Sequence, residues 1–145
     1  DLEKPVHIAK QVGIEKTGWQ LSAIPTPSTA DSLYNLKLSI LDKKHQCNQT
    51  MTFKDLNIAS FEEHHLGLAF EQPQIHAYLD GKKVQSLSLN HECYPQNLHS
   101  DIVLGASTLE NQFNGYMYTP KIWKGDVSEN VIRWAAIFLD KYEYF

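Results

Sequence analysis

Two strand-like segments separated by a short break constrain the fold of this 145-residue chain more than any other feature. Apolar residues alternate along both segments, at Leu66, Leu68 and Phe70 and then at Ile75, Ala77 and Leu79. Pro73 interrupts the chain between them, and Asp80-Gly81 after the second is a strong signal for a tight turn. Because a period of two is typical of strands, the pattern predicts antiparallel strands over 64–70 and 74–80.

Similar alternation recurs along most of the chain. Further strands are predicted at 19–24, 33–41, 50–53, 84–89, 101–106 and 115–123, with weaker signals around 6–14. In the clearest of them Leu36, Leu38 and Ile40 share one face, and Lys37 and Ser39 the other. Turn signals separate the segments roughly every ten residues, which is typical of an all-β sandwich.

A family resemblance rests on two groups of motifs. The first is Glu63-His64-His65-Leu66 followed by Tyr78-Leu79-Asp80-Gly81; the second is Ile102-Val103-Leu104-Gly105, Phe113-Asn114-Gly115 and Lys121-Ile122-Trp123, closing near Val127–Ile132. In this order and spacing, residues 60–133 resemble laminin G-like domains of the concanavalin A-like superfamily. The resemblance implies an antiparallel jelly-roll β-sandwich and says almost nothing about a ligand.

The C-terminal segment departs from that family. Asp126 to Glu129 can form a capping box, and a helical stripe follows at Val127, Val131, Trp134, Phe138 and Tyr142, widened by Ile132, Ala136 and Leu139. We predict a helix over 126–141 that packs on the sandwich or leads towards a neighbour. Trp19, Trp123 and Trp134 are expected to pack in the core.

Length and charge limit the classes of function. At this length we expect one domain spanning 1–145. Asp1 is not an initiator methionine and no signal-peptide pattern follows it, so we expect a processed terminus or a fragment of a longer chain. The net charge of −4, with 13 scattered basic residues, gives no case for a nucleic-acid partner. The apolar runs are too short for membrane insertion.

Two cysteines favour an oxidising compartment. Cys47 and Cys93 both lie in polar sequence surroundings, which predicts surface cysteines and hence a disulfide closing a loop of roughly 46 residues. Two free thiols in a cytosolic protein are the alternative. Asn48-Gln49-Thr50 is an acceptor sequence for N-glycosylation, placed between two predicted strands. These features predict an extracellular location, secreted or at the cell surface.

Catalytic and metal-binding patterns are hard to find. No paired acids on one strand match the Glu-x-Asp-x-x-Glu arrangement of related glycosidases, and we predict that the chain is not an enzyme. The cysteines and histidines lack zinc spacing. His76 is expected on the solvated polar face of its strand, and His45, His91 and His99 in polar loops. The resemblance leaves calcium open, at Asp31, Asp55, Asp101 or Asp126, with no defined site; no other cofactor is expected.

A ligand site is predicted in the polar loop 90–100. Tyr94 can stack on a sugar ring, and Glu92, Gln96 and Asn97 supply hydrogen-bonding groups beside it. Tyr34 and Trp19 are second choices. The simpler interpretation is that Tyr94 only covers the nearby disulfide.

Two functions follow from these observations. The first is a non-catalytic extracellular recognition or adhesion domain that binds a glycan or a protein. The alternative is a structural assembly module of a surface filament, appendage or particle, because Phe138, Tyr142, Tyr144 and Phe145 make the C-terminal helix unusually apolar. In that case we expect self-association through the helix.

Overall fold

The chain forms two compact units, which are described separately. One comprises Asp1–Ser60 with Leu89–Tyr116, and the other Phe61–Ser88 with Met117–Phe145. The structure is a computed structural model and describes residues 5–13, 17–26, 33–44, 46–58, 62–90, 93, 100–105, 113–118, 120–122 and 128–142, with side chains described up to 136. The prediction of a single domain over 1–145 stays a prediction.

The first unit contains a five-stranded antiparallel sheet in the order β4-β3-β2-β1-β8. Its strands are β1 (Val6–Val12), β2 (Gly18–Pro25), β3 (Leu33–Asp42), β4 (Cys47–Asn57) and β8 (Ile102–Leu104). The first four are joined in sequence as hairpins, and β8 pairs with β1. Most of the described residues of this unit therefore belong to one meander.

The core of the first unit follows the predicted alternation. Leu36, Leu38 and Ile40 of β3 are buried, at 1% exposed or less. In the strand register, Leu36 lies opposite Phe53 and Leu38 opposite Met51, and both of these partners are also buried. The prediction for this strand is therefore confirmed.

The second unit contains a three-stranded antiparallel sheet, β5-β6-β7, and one described helix. Its elements are β5 (Leu66–Glu71), β6 (Gln74–Leu79), β7 (Lys82–Ser88) and α1 (Glu129–Tyr142). The central strand β6 is buried on both sides, because the neighbouring residues Ile75, His76, Ala77 and Tyr78 are all buried. The two predicted strands 64–70 and 74–80 are thus confirmed as one hairpin.

Asp80-Gly81 makes the two-residue turn between β6 and β7. Leu79 pairs with Lys82 across it, and φ is positive at both Asp80 (52°) and Gly81 (80°). Positive φ at both central residues defines the hairpin turn that matches the natural twist of a strand pair. Asp and Gly occupy it because they adopt this conformation at the lowest steric cost.

Helix α1 packs on the sheet of its unit through two glycines. A Cβ atom on Gly67 would lie 3.1 Å from Cγ2 of Ile132, and one on Gly81 would lie 3.2 Å from Cβ of Ala136. Ile132 and Ala135 are accordingly buried. The helix begins three residues after the predicted start at 126, directly after Ser128, whose carbonyl oxygen accepts hydrogen bonds from the N–H groups of the first turn.

The side of α1 that faces the sheet differs from the predicted stripe. Within the described part of the stripe, Val131 is 42% exposed and Trp134 is 63% exposed, whereas Ile132 faces the sheet. The expectation that Trp134 packs in the core was therefore wrong. The sheet accepts the small side of the helix because the glycines bring the two backbones too close for an indole ring between them.

The prediction of a strand over 115–123 was wrong for the residues that the structure describes. The described residues of the predicted strand 115–123, namely 115–118 and 120–122, form no strand, and Tyr116, Tyr118 and Ile122 are exposed. Their alternating pattern is not matched by a hydrogen-bonded neighbour strand, which a stable strand requires.

Two antiparallel sheets agree with the predicted all-β class, and the jelly-roll connection of the sheets stays a prediction.

Replacing Gly81 with alanine tests the turn and the helix contact together. We expect Gly81→Ala to lower the free energy of unfolding by about 1–2 kcal/mol, because alanine is strained at positive φ. The matched control is Gly13→Ala, whose added Cβ would only meet the Thr17 carbonyl oxygen at 3.6 Å. Urea unfolding of both variants measures the difference, and equal stabilities would contradict the assigned turn.

Candidate functional site

The outward side of α1 carries an apolar group beside a pair of opposite charges. Trp134 and Val131 are the large apolar residues exposed there. Arg133 and Glu129, one turn apart, form an ion pair with Nη2 and Oε1 separated by 3.7 Å, and their side chains are 55% and 45% exposed. This surface, which we call the α1 outer face, consists of Asn130, Val131 and Trp134; Glu129 and Arg133 lie along its edge, where Arg133 packs beside Gly81. An exposed aromatic flanked by charges is typical of a protein interface rather than of a catalytic site.

A second polar group lies where β5 begins. The Asp80 carboxylate accepts a hydrogen bond from the backbone N–H of His65 (2.9 Å), and its other oxygen lies 3.0 Å from Nδ1 of His64. The Asp80 N–H in turn donates to the His65 carbonyl oxygen (2.8 Å). Asp80 therefore fastens the entry of β5 to the β6–β7 turn. His64, His65 and the Asp80-Gly81 turn therefore belong to one hydrogen-bonded group.

Burial decides the charge of His65. Desolvation lowers the pKa of its imidazole below 6.5, with a smaller lowering from Lys121, while the Asp80 carboxylate acts in the opposite direction. Its Nδ1 is buried and has no hydrogen-bond partner among the described residues. Loss of hydration without a compensating bond disfavours the charged ring, so His65 is held neutral. The adjacent histidine His64 instead lies beside Asp80, with its Nδ1 3.0 Å from the carboxylate.

His76 was expected on a solvated face, and that expectation was wrong. The residue is only 5% exposed. Its Nδ1 lies 2.6 Å from the Ser86 hydroxyl and its Nε2 lies 3.0 Å from the Glu71 carboxylate, so the ring joins β5, β6 and β7. Hydroxyl, imidazole and carboxylate are the groups of a hydrolytic triad. Here, however, the three groups lie on three neighbouring strands. The Glu71 side chain is 77% exposed rather than buried behind the imidazole.

The cysteines form the predicted disulfide. Cys47 begins β4 and is joined to Cys93, with Cα atoms 5.3 Å apart and 46 residues between them in sequence. Both residues are buried, at 5% and 4% exposed, so the expectation of surface cysteines was wrong although the pairing was right. On either side of Cys47, the polar residues Gln46 and Asn48 are exposed while Cys47 itself is buried. A disulfide indicates an oxidising compartment and so a surface or extracellular location.

The predicted ligand residues lie outside the described part of the chain. This applies to Tyr94, Glu92, Gln96 and Asn97, and to the loop histidines His45, His91 and His99. Their assignment to a sugar site stays a prediction. The second choices, Tyr34 and Trp19, lie in β3 and β2 and are half-buried. Asn48 is exposed and lies within β4, not between strands as expected; its glycosylation also stays a prediction.

Metal and membrane features can be assessed for the described ranges. Within them, no group of three or more His, Cys, Asp or Glu side chains is arranged to hold a metal ion. Asp55 and Asp101 are exposed, while Asp31 and Asp126 lie outside these ranges, so calcium stays a prediction. Among the same residues, no helix has both the length and the apolar character required to cross a membrane.

Comparisons with known proteins do not show a family. No protein-family model and no curated protein matches the chain. Among solved structures, it is similar to an S-layer domain-containing protein (residues 221–444) from Clostridium thermocellum ATCC 27405, with 13% sequence identity and a TM-score of 0.48. The alignment covers 94% of this chain and 64% of that one, less than two thirds of its length. This similarity is too low to assign a fold or a function, and the resemblance to laminin G-like domains stays a prediction.

Removing the disulfide should destabilise the protein substantially. For a loop of this length, the chain-entropy model gives a loss of about 4 kcal/mol on changing both Cys47 and Cys93 to alanine. Denaturant unfolding measures the loss, and intact mass before and after reduction with alkylation counts the thiols. Two cysteines alkylated in the native, unreduced protein would contradict the bond.

Lowering the pH should reduce the free energy of unfolding, because His65 is protonated more readily in the unfolded chain. Since its pKa is lowered by folding, the unfolded chain takes up the proton first as the pH falls below 6.5, so stability falls through that range. Burial and Lys10 also lower the pKa of His7 in the other unit, with the same sign. We expect His65→Gln to lose less stability than the wild type between about pH 7.5 and about pH 5.5. Urea unfolding at both pH values checks this, and identical losses would exclude His65 as a cause.

Proposed function

We propose that this chain is a non-catalytic assembly module of a secreted or cell-surface protein, which packs against copies of itself in a filament, appendage or particle. The observation that carries the proposal is the exposure of Trp134, at 63%, on a helix that already buries Ile132 and Ala135 against its own sheet. The helix thus exposes a large aromatic ring on the side away from its sheet.

The energetic argument concerns the indole ring. A helix on the surface of a globular protein normally presents one apolar stripe inward and polar residues outward. Covering a large aromatic side chain removes much apolar surface from water, at roughly 25 cal/mol per Å². Tryptophan is also enriched among the few residues that contribute most to protein interfaces. The α1 outer face is therefore better suited to a protein partner than to solvent alone.

Other features support the location and the absence of catalysis. The buried disulfide is compatible with a secreted or cell-surface protein. The described imidazole groups bind neighbouring strands, at Asp80 for His64 and at Glu71 and Ser86 for His76. These bonds give the imidazole groups a structural role, which supports a non-catalytic function. The jelly-roll arrangement implied by the laminin G-like resemblance is part of the same proposal, since that fold carries many structural and adhesive roles.

Recognition of a glycan or an extracellular protein is the alternative function. It depends on the loop 90–100, where Tyr94 is the predicted contact. No described residue favours it, so it stays a prediction from the sequence.

Replacing Trp134 tests the assembly proposal. We expect sedimentation velocity of the wild type to show association that grows with concentration, and Trp134→Ser to weaken it by at least about tenfold, the loss expected for an interface hot spot. The matched control is Tyr116→Ser, which removes an aromatic residue of the other unit that is 85% exposed.

The Tyr116→Ser control distinguishes a specific contact from non-specific association. The Tyr116→Ser protein should associate like the wild type. A wild type that stays monomeric at all concentrations, or an equal loss in both variants, would contradict assembly through α1. Far-ultraviolet circular dichroism confirms that each variant is folded.

A further inference from the structure

We propose that Asn48 carries an N-linked glycan, and that this glycan covers the outer edge of the five-stranded sheet. The acceptor sequence Asn48-Gln49-Thr50 predicts the modification, and the position of β4 in its sheet gives the glycan a role. This inference goes beyond the proposed assembly function, because β4 belongs to the unit that does not contain α1.

Both side chains that define the acceptor sequence face outward. Burial alternates along the start of β4, where Cys47 and Met51 are buried while Asn48 and Thr50 are exposed. Because successive residues of a strand point to opposite faces, Asn48 and Thr50 lie on the face away from the core. The amide and the hydroxyl group of the acceptor sequence are therefore on the same surface of the protein.

The strand that contains them is an edge strand. In the order β4-β3-β2-β1-β8, β4 is hydrogen-bonded to β3, and no described strand pairs with its other side. With 11 residues, it is also the longest strand that the structure describes. A long edge strand is a template on which another chain can pair, which leads to aggregation unless the edge is protected.

Protection by residue type is confined to the second half of β4. Natural proteins protect exposed edges with charged residues, prolines and β-bulges. Lys54 is charged and exposed, and Asp55 has a positive φ of 54° where the register with β3 shifts. Residues 47–53 contain no charge and no proline, and their register with β3 is regular. The acceptor residue Asn48 lies in this first half, where a glycan would supply the protection that the sequence lacks.

The described side chains beside Asn48 leave it accessible. Thr50 and Ser39 of the neighbouring strand are small, and their hydroxyl oxygens lie 3.3 Å apart in an exposed position. Leu41, opposite Asn48 in the register, is half-buried. A glycan at Asn48 is bulky and strongly hydrated, so it keeps another strand from approaching this part of the edge.

The transfer requires a polyprenyl diphosphate-linked oligosaccharide as donor. A bond forms between the side-chain amide nitrogen of Asn48 and the anomeric carbon of the first sugar. The bond from that carbon to the diphosphate oxygen breaks, the nitrogen releases one proton, and the diphosphate carrier leaves without any oxidation or reduction. The Cys47–Cys93 disulfide, which begins at the residue before Asn48, agrees with passage through an oxidising compartment.

Secretion of the chain from cultured eukaryotic cells tests the site. We expect the intact mass to exceed the sequence mass by one oligosaccharide, and peptide N-glycosidase to remove the excess. Asn48→Gln and Thr50→Ala should each lose the excess, whereas Thr50→Ser should retain it, because serine also completes the acceptor sequence. The matched control is Asn57→Gln, an exposed asparagine of the same strand with alanine two positions later, and it should retain the excess.

The role at the edge is tested in the Trp134→Ser background, which lacks the aromatic contact of the proposed assembly. Enzymatic removal of the glycan should shift the sedimentation coefficient upward as concentration increases, because the uncovered edge of β4 pairs with another copy. Thr50→Ala and Thr50→Lys both lack the glycan in this background. The lysine variant should show the smaller shift, because a charge protects an edge strand.

Each part of the proposal can fail by itself. An unmodified mass in both the secreted and the cell-retained protein, or an excess that persists in Asn48→Gln, would overturn the site. A glycan whose removal leaves the sedimentation coefficient of the Trp134→Ser protein unchanged would overturn its role at the edge. Neither result bears on assembly through α1, which the comparison of Trp134→Ser with the wild type decides.

Discussion

The close approach of α1 to its sheet is the contact on which the proposed function depends. At Gly67 and Gly81 there is no side chain between the sheet and the helix, and an added Cβ atom would lie only 3.1 Å from Ile132 and 3.2 Å from Ala136. A helix held this closely has its rotation fixed. Trp134 and the Glu129–Arg133 pair then lie on the outside, and a bulkier residue at either glycine would change which side of the helix faces solvent.

Side-chain hydrogen bonds in the same unit fix the turn and the strands that contact α1. Asp80 joins the turn containing Gly81 to the start of the strand containing Gly67. His76 links all three strands through Ser86 and Glu71. Buried polar groups that are fully bonded specify one arrangement, because any other leaves them without partners. His64 and His76 therefore have a structural explanation.

The proposed assembly needs only weak individual contacts, because in an array many of them act together. The disulfide contributes in a different way, because it limits the unfolded state of the other unit and so protects the fold outside the cell.

The sequence by itself determined the local structure: the strand alternation at Leu36, Leu38 and Ile40, the Asp80-Gly81 turn, the C-terminal helix and the Cys47–Cys93 pairing. These depend on residue type, spacing and backbone preference, which are local properties, or on the presence of only two cysteines. Tertiary structure alone decided the burial of His76 and of both cysteines, and the side of α1 that faces the sheet. The stripe through Val131 and Trp134 was as apolar as the side containing Ile132, so periodicity could not choose between them. Two glycines distant in sequence made that choice, because only the smaller side of the helix fits against them.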